Sequence, residues 1–310
     1  MLDKQILYIS TPLTMKWKNH CYTASGFFFQ YSSPNEENEL SNYWLVTNRH
    51  VIYAEDKENK KQYLMDSITF KIRCEKKENQ DIVWFEITMS KDEIQAKTKV
   101  LADYNVDIAV IDICEKVNQF IRESPDNLNL YALPITEQEF PNKNQFPIEV
   151  CDDIAVIGYP NGFYDEKNLF PIVKNGTIAS MWGANFRGRK GFAIDAKLFP
   201  GSSGSLVITK PRREDLDDNG HLIFKKEKVF YCLGVFSGEP IFTQKIVNNE
   251  GKLISIDKFL NLGFVWYASL ITDTIKNGEI PVFEYLTTKS EPPILYTEVY
   301  KKEAVPITAS

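Results

Sequence analysis

The sequence predicts an all-β protein built as sandwiches or barrels, with one helix near the end. Two observations carry this. Short segments of alternating or aromatic-rich character recur along most of the 310 residues, separated by turn-forming residues, as in an antiparallel β architecture. Helical spacing shows clearly only in Ala268–Lys276, which stops before Gly278.

Taken in order, Tyr22–Tyr31 is an aromatic strand entered through Gly26, and Ser32–Ser41 is a polar loop. Asn42–Thr47 follows as its hairpin partner, and Ala54–Lys61 reads as a charged loop. Ile68–Cys74 and Ile82–Met89 alternate around a turn at Glu75–Gln80. Asp107–Ile113 is nearly continuous apolar strand, and Glu115–Glu123 suits a short helix. A second series starts at Asp153–Gly158, closed by the turn signal Tyr159-Pro160-Asn161-Gly162. Ile172–Ser180, Phe192–Leu198, Leu206–Thr209, Val229–Phe236 and Leu262–Tyr267 complete it. Asp217-Asp218-Asn219-Gly220 marks a hairpin tip, and Val247–Gly251 another turn. Residues 279–310 show no clear period and read as a tail lying on the body.

Composition narrows the class. Apolar residues make up 43% and charged residues 25%, as in ordinary globular proteins. A net charge of −6 argues against nucleic acid or an anionic membrane as partner. The longest apolar run, Leu262–Ile271, is too short to span a bilayer, and the amino terminus lacks the pattern of a secretory signal. Five scattered cysteines without a Cys-x-x-Cys pair favour reduced thiols, hence a cytoplasmic location. The three histidines show no zinc-ligand spacing, so neither a metal nor another cofactor is expected.

The chemistry concentrates at three places. Phe199-Pro200-Gly201-Ser202-Ser203-Gly204-Ser205 sets a serine between glycines just before an apolar strand. Such glycines permit a sharp turn and close backbone approach, so the amides of Gly201 and Ser203 could converge on an oxyanion. By itself this is more often a plain turn. His50 follows the aromatic strand Tyr43–Thr47, where a satisfied structural histidine is the simpler reading. His20 and His221 read as surface residues. Asp107 opens a buried strand, usually a mere strand start. The order His50, Asp107, Ser203, each at a strand end, is what makes the set informative.

At this point the chain resembles the trypsin-like (chymotrypsin-fold) serine peptidases, in particular bacterial HtrA/Deg-type catalytic domains. The matching segments are Ser25-Gly26-Phe27, Val46-Thr47-Asn48-Arg49-His50-Val51, Asp107-Ile108-Ala109-Val110, Ile157-Gly158-Tyr159-Pro160, Asn175–Ser180, Asp195-Ala196, Pro200–Gly204, Leu233-Gly234-Val235 and Leu262-Gly263-Phe264. They span about residues 20–277 in the family's order. The resemblance implies two six-stranded antiparallel β-barrels and a C-terminal helix. It places an N-terminal barrel with His50 and Asp107 at 1–130, a second with Ser203 and the helix at 131–277, and a tail at 278–310.

It further implies a serine endopeptidase with His50, Asp107 and Ser203 as triad and Gly201 and Ser203 amides as oxyanion hole. Lys197, Ser237, Glu239 and Gly263 would lie at the substrate pocket. A protein or peptide substrate is expected, and an activating protein partner is a further expectation. A catalytically silent binding module on the same fold is the alternative. The departures matter too. Ser202 stands where zymogen-type members carry an Asp that binds a new N-terminus, and Ser205 replaces a glycine. Lys197 at the pocket floor would disfavour basic residues before the scissile bond. No PDZ-like module follows the helix, which suggests a stand-alone protease with narrow targets.

Overall fold

In the computed structural model the chain is described over residues 2–31, 42–56, 61–124, 127–141, 147–217, 219–238, 241–247 and 253–281. The first half runs α1 (Leu2–Tyr8), β1 (Ser10–Trp17), β2 (His20–Gln30), β3 (Tyr43–Thr47), β4 (Tyr53–Asp56), β5 (Lys61–Leu64), β6 (Ser67–Lys76) and β7 (Ile82–Ser90). It continues with α2 (Lys91–Lys97), β8 (Thr98–Val100), β9 (Ala109–Asp112), α3 (Cys114–Glu123) and β10 (Leu128–Leu130). The second half comprises β11 (Asp153–Gly158), β12 (Ile172–Ile178), β13 (Gly191–Asp195), β14 (Leu206–Thr209), β15 (Arg212–Leu216) and β16 (Leu222–Val229). It ends with β17 (Cys232–Gly238), β18 (Ile241–Val247), β19 (Leu253–Phe259), β20 (Leu262–Tyr267) and α4 (Ser269–Asn277).

These strands make two antiparallel units. The N-terminal unit is an eight-stranded sheet ordered β10-β6-β1-β2-β3-β9-β8, with β7 also on β6. The C-terminal unit is a closed six-stranded barrel, β11-β12-β13-β20-β17-β14. Each has its own core: Leu13, Phe28, Leu45, Phe70 and Ile111 in the first, Ile154, Phe192, Ile194, Val207 and Val265 in the second. A third apolar cluster lies between them, joining Phe27, Phe29 and Val110 of the sheet to Ile157, Leu206 and Trp266 of the barrel. Helix α4 buries Leu270, Ile271 and Ile275 in this shared layer, the stripe that its spacing predicts. Strand β10, the last of the sheet, ends at Leu130, and the barrel's first strand begins at Asp153.

Three expectations change. The charged segment Ala54–Lys61 is not simply a loop, because Tyr53–Asp56 pairs with Lys61–Leu64 as a hairpin. Ser10–Trp17 is a strand not assigned from the sequence, although Leu13, Met15 and Trp17 alternate along it and are buried; it is central, lying between β2 and β6. Its Thr11 hydroxyl donates to the Lys71 carbonyl (2.9 Å) and accepts from the Lys71 amide (2.8 Å), standing in for a ladder rung. Val229–Phe236 divides into the end of β16 and the start of β17. The tip expected at Asp217–Gly220 lies between the paired strands β15 and β16, while residues 248–251 of the other expected turn lie outside the described residues.

Helix α2 begins with a capping box: Ser90 Oγ accepts from the Glu93 amide at 3.4 Å, while the Glu93 carboxylate accepts from the Ser90 amide at 2.7 Å. The five cysteines are all free thiols. Among the described residues no helix is long and apolar enough to cross a membrane. The expected tail beyond residue 281 lies outside the described residues; before it, Glu279 and Val100 exchange backbone hydrogen bonds.

The second barrel depends on Phe192, which is fully buried, edge-on to Trp182 at 4.9 Å and stacked near Tyr267 at 5.6 Å. Replacing it by alanine should cost about 3–5 kcal/mol, from lost transfer energy plus the cavity left behind. Urea denaturation checks this: the midpoint should fall with the slope unchanged.

Candidate active site

The sheet itself brings His50 and Asp107 together. Strands β3 and β9 are antiparallel neighbours, with Thr47 opposite Ala109. The end of β3 and the start of β9 are therefore the same end of the sheet. His50 follows β3 in a single helical turn, Arg49–Val51, and Asp107 precedes β9 by two residues. Their side chains meet at Nδ1···Oδ2 2.7 Å, and Asp107 Oδ1 accepts from the His50 amide at 2.9 Å. Buried Asn48 donates from Nδ2 to the Asp107 carbonyl at 2.8 Å, fixing the backbone as well. Asp107 is nearly inaccessible, whereas the His50 side chain keeps 37% of its surface exposed toward the cleft.

Burial is the largest single influence on His50 and pushes its pKa down, but the charge and hydrogen bond of Asp107 outweigh it. The net shift is upward from the ordinary 6.5. A ring this exposed keeps much of its hydration, while the carboxylate is held at contact, so the carboxylate prevails.

Ser203 enters from the second barrel on the β13–β14 loop, in two glycine-dependent turns. Gly201 has φ +85°, and a Cβ there would lie 2.7 Å from the Asn161 nitrogen. Gly204 has φ +81°, and its Cβ would meet the Ser25 carbonyl oxygen at 2.1 Å. Both positions exclude side chains on conformation and on space. Ser202 is buried; its hydroxyl accepts weakly from the Phe199 amide (3.4 Å) and its amide donates to the Phe199 carbonyl (3.0 Å).

The turn is held from both sides. Ser25 on β2 donates its amide to the Ser203 carbonyl (2.9 Å) and its hydroxyl to the Gly201 carbonyl (2.9 Å). The Pro200 carbonyl accepts from the Asn161 amide at 2.7 Å. In a trans peptide the N–H points opposite to the C=O, so the Gly201 amide is directed away from Asn161. Neither the Gly201 nor the Ser203 amide has an acceptor among the described residues. Two such donors beside a serine hydroxyl are the groups that stabilisation of an anion would call on.

Ser203 Oγ donates to the Ser237 carbonyl at 3.2 Å; no hydrogen bond joins it to His50 among the described residues. The Ser237 hydroxyl in turn donates to Asp107 Oδ2 at 2.5 Å. Ser237 was expected at the substrate pocket, and its contacts place it against the acid and the serine. Gly263 is inside the barrel, where an added Cβ would meet the Phe236 ring at 2.6 Å. Lys197 is exposed, its Nζ 5.8 Å from the centre of the half-exposed Phe199 ring, with Lys174 Nζ at 4.5 Å. Glu239 lies outside the described residues. Sequence reasoning overlooked Asn161 and did not anticipate the hydroxyl of Ser25. The turn signal at Tyr159–Gly162 was the available hint for Asn161.

Comparison with known proteins follows the geometry. The sequence model of the trypsin-like peptidase domain matches residues 24–213. No curated protein matches the chain. Solved structures similar to it include the active form of the Rv3671c protease from M. tuberculosis, at 16% identity and TM-score 0.42, covering 91% of this chain and 86% of that one. The serine endoprotease of Yersinia pestis aligns at 16% identity and TM-score 0.42 over 89% of this chain and 65% of its own. A thermostable serine protease, AL20, from an extremophilic microorganism aligns at 13% identity and TM-score 0.44, over 92% and 100%.

If His50 serves as a base, it must be neutral, and a raised pKa means that neutrality is lost from above pH 6.5 downward. Ester hydrolysis should therefore fall about tenfold per pH unit on the acid side of a midpoint above about 6.5. Ser237→Ala removes one donor from Asp107 Oδ2, leaving more charge to face the imidazolium, and should move that midpoint further up. A pH–rate profile of both proteins checks this; a rate flat from about pH 5 to 8 would exclude His50 as base.

Proposed function

The chain belongs to the trypsin-like peptidase family, and from that premise we propose that it is a serine endopeptidase working through His50, Asp107 and Ser203. The observation that carries this reading is the pair of unspent amides, Gly201 and Ser203, beside the Ser203 hydroxyl. A module that merely binds has no need of two amide donors left without a protein acceptor beside a serine hydroxyl, whereas acyl transfer uses them to hold an oxyanion.

In the proposed mechanism the Ser203 hydroxyl leaves the Ser237 carbonyl and turns its proton to His50 Nε2. His50 takes that proton as Oγ attacks the carbonyl carbon of the scissile bond. The carbonyl oxygen becomes an oxyanion between the Gly201 and Ser203 amides, each such donor being worth about 10²–10³ in rate. Collapse expels the amine, which receives the proton from His50 and leaves an acyl-Ser203. Water, deprotonated by His50, then hydrolyses the ester and restores the hydroxyl. Asp107 keeps the imidazole in the tautomer with hydrogen on Nδ1 and stabilises the imidazolium.

The geometry favours an enzyme whose oxyanion hole needs no partner to assemble, because the Pro200 carbonyl is already engaged by Asn161. Narrow target choice is the part of the proposal supported by the extra hairpins β4/β5 and β15/β16, which pair as separate two-stranded sheets outside the eight-stranded sheet and the barrel. Two lysines, 174 and 197, flank the Phe199 ring, and neither forms an ion pair among the described residues. With the position that the family resemblance gives Lys197, a basic residue before the scissile bond should be disfavoured. A peptide-library profile should lack a Lys or Arg peak, and dominance of either would overturn this specificity.

Labelling with a fluorophosphonate tests the activity. Wild type should react at one site, and Ser203→Ala and His50→Ala should lose the reaction while keeping their thermal melts. Equal labelling of all three, or none of folded wild type, would turn the assignment toward the silent binding module.

A further inference from the structure

Arg73 on β6 is an unusual residue for the interior of a sheet protein. It is 4% exposed and has no carboxylate partner among the described residues. Its guanidinium is instead held by backbone carbonyls from two other segments. Nη2 donates to Leu7 (3.2 Å) and to Leu169, and Nη1 donates to Tyr8 (3.4 Å), whose ring lies 4.6 Å away. Burying a guanidinium without an anion is costly, so these carbonyls must be held where the charge needs them.

Leu169 belongs to the segment between β11 and β12 and is itself constrained: it is fully buried and has φ +58°, rare for a non-glycine residue. The same segment is gripped at two more points. The hydroxyl of fully buried Tyr159 donates to the Ser10 carbonyl (3.0 Å) and more weakly to Leu169 (3.4 Å). Lys71, two residues before Arg73 on β6 and so on the same face, donates to the Tyr164 hydroxyl at 3.2 Å. Within this segment stands Asn161, whose amide holds the Pro200 carbonyl and so aims the Gly201 amide into the cleft.

Extending the peptidase reading above, on which this rests, we infer that Arg73 is a positioning residue of the oxyanion hole. It acts through the Tyr159–Phe170 segment, without touching substrate. The first barrel thereby sets the orientation of a peptide in the second. Without Arg73, Leu169 loses its charged donor and can leave its left-handed conformation. The Asn161 amide then no longer holds Pro200, and the Pro200–Gly201 peptide is free to rotate its N–H out of the cleft.

The test uses the full chain with Arg73→Met, Arg73→Lys and Tyr159→Phe, the last removing only the hydroxyl that shares Leu169. Three quantities are read: the rate of fluorophosphonate labelling of Ser203, the affinity for phenylboronic acid, and the pH midpoint of labelling. Boronate is informative because its tetrahedral Ser203 adduct places an oxygen in the oxyanion hole. Arg73→Met and Tyr159→Phe should label about tenfold or more slowly and bind boronate correspondingly less tightly. Their pH midpoint should match wild type, because the His50–Asp107 pair is untouched. Arg73→Lys, which keeps the charge but not the fork of donors, should recover part of the rate. Should Arg73→Met fail to fold in a thermal melt, Tyr159→Phe carries the test alone. Folded variants that label at the wild-type rate would overturn the inference and leave the peptidase reading standing. A shifted midpoint with unchanged boronate affinity would likewise overturn it, placing the defect at His50. Failure of wild type to label would remove the peptidase reading, and this inference with it.

Discussion

Ser25 is where the two halves of the molecule are made to agree. Its amide fixes the Ser203 carbonyl, its hydroxyl fixes the Gly201 carbonyl and accepts from the Tyr159 amide, and its own carbonyl accepts from Thr47 Oγ1. One residue of the N-terminal sheet thus holds the serine turn, the start of the Tyr159 segment and the strand leading to His50. The bonds lie in a buried seam, where breaking one leaves an uncompensated polar group. The apolar layer of Phe27, Ile157 and Leu206 supplies attraction between the halves without fixing their relative position. The hydrogen bonds of Ser25 supply register, and catalytic geometry needs register.

Much of the architecture was legible because it rests on burial. Strands such as Phe27–Phe29, Ile108–Ile111 and Leu206–Ile208 are buried on alternating or both faces, and their sequence shows it. What was not legible rests on backbone pairing or on buried polar atoms. In β1, Ser10 and Thr11 are fully buried, and Thr11 is there because its hydroxyl completes pairing with Lys71. Leu13, Met15 and Trp17 do alternate in the second half of β1, but its first half, Ser10-Thr11-Pro12, reads as turn, so the strand as a whole is weakly marked. Hairpin β4/β5 pairs Ala54-Glu55-Asp56 with Lys61-Gln62-Tyr63, and nothing in a charged run distinguishes a paired strand from a loop.

The site divides along the same line. His50, Asp107 and Ser203 act through side chains whose chemistry few residues share, so their types and order are visible in the sequence. Asn161 and the amide of Ser25 act through N–H groups that every residue except proline supplies. Their roles depend on where the chain passes, and only the fold displays that. Ser237 falls between: serine is a common residue, and nothing in its neighbourhood distinguishes a pocket wall from a partner of Asp107.

Ser237 also explains how the resting serine and the acid are coupled. Its hydroxyl donates to Asp107 Oδ2, the oxygen that also faces His50 Nδ1, while its carbonyl holds the Ser203 proton. The acid therefore divides its charge between a fixed neutral donor and the imidazole. When His50 is neutral the two donors share one oxygen at little cost. When His50 gains a proton, attraction to Asp107 rises steeply, since opposite charges at contact in a poorly solvated site interact far more strongly than dipoles. The site thus favours a protonated imidazole, the species that the proposed mechanism forms as Ser203 attacks. With His50 as the proposed base, the cost is an imidazole that protonates more readily in acid, and the same contact accounts for both.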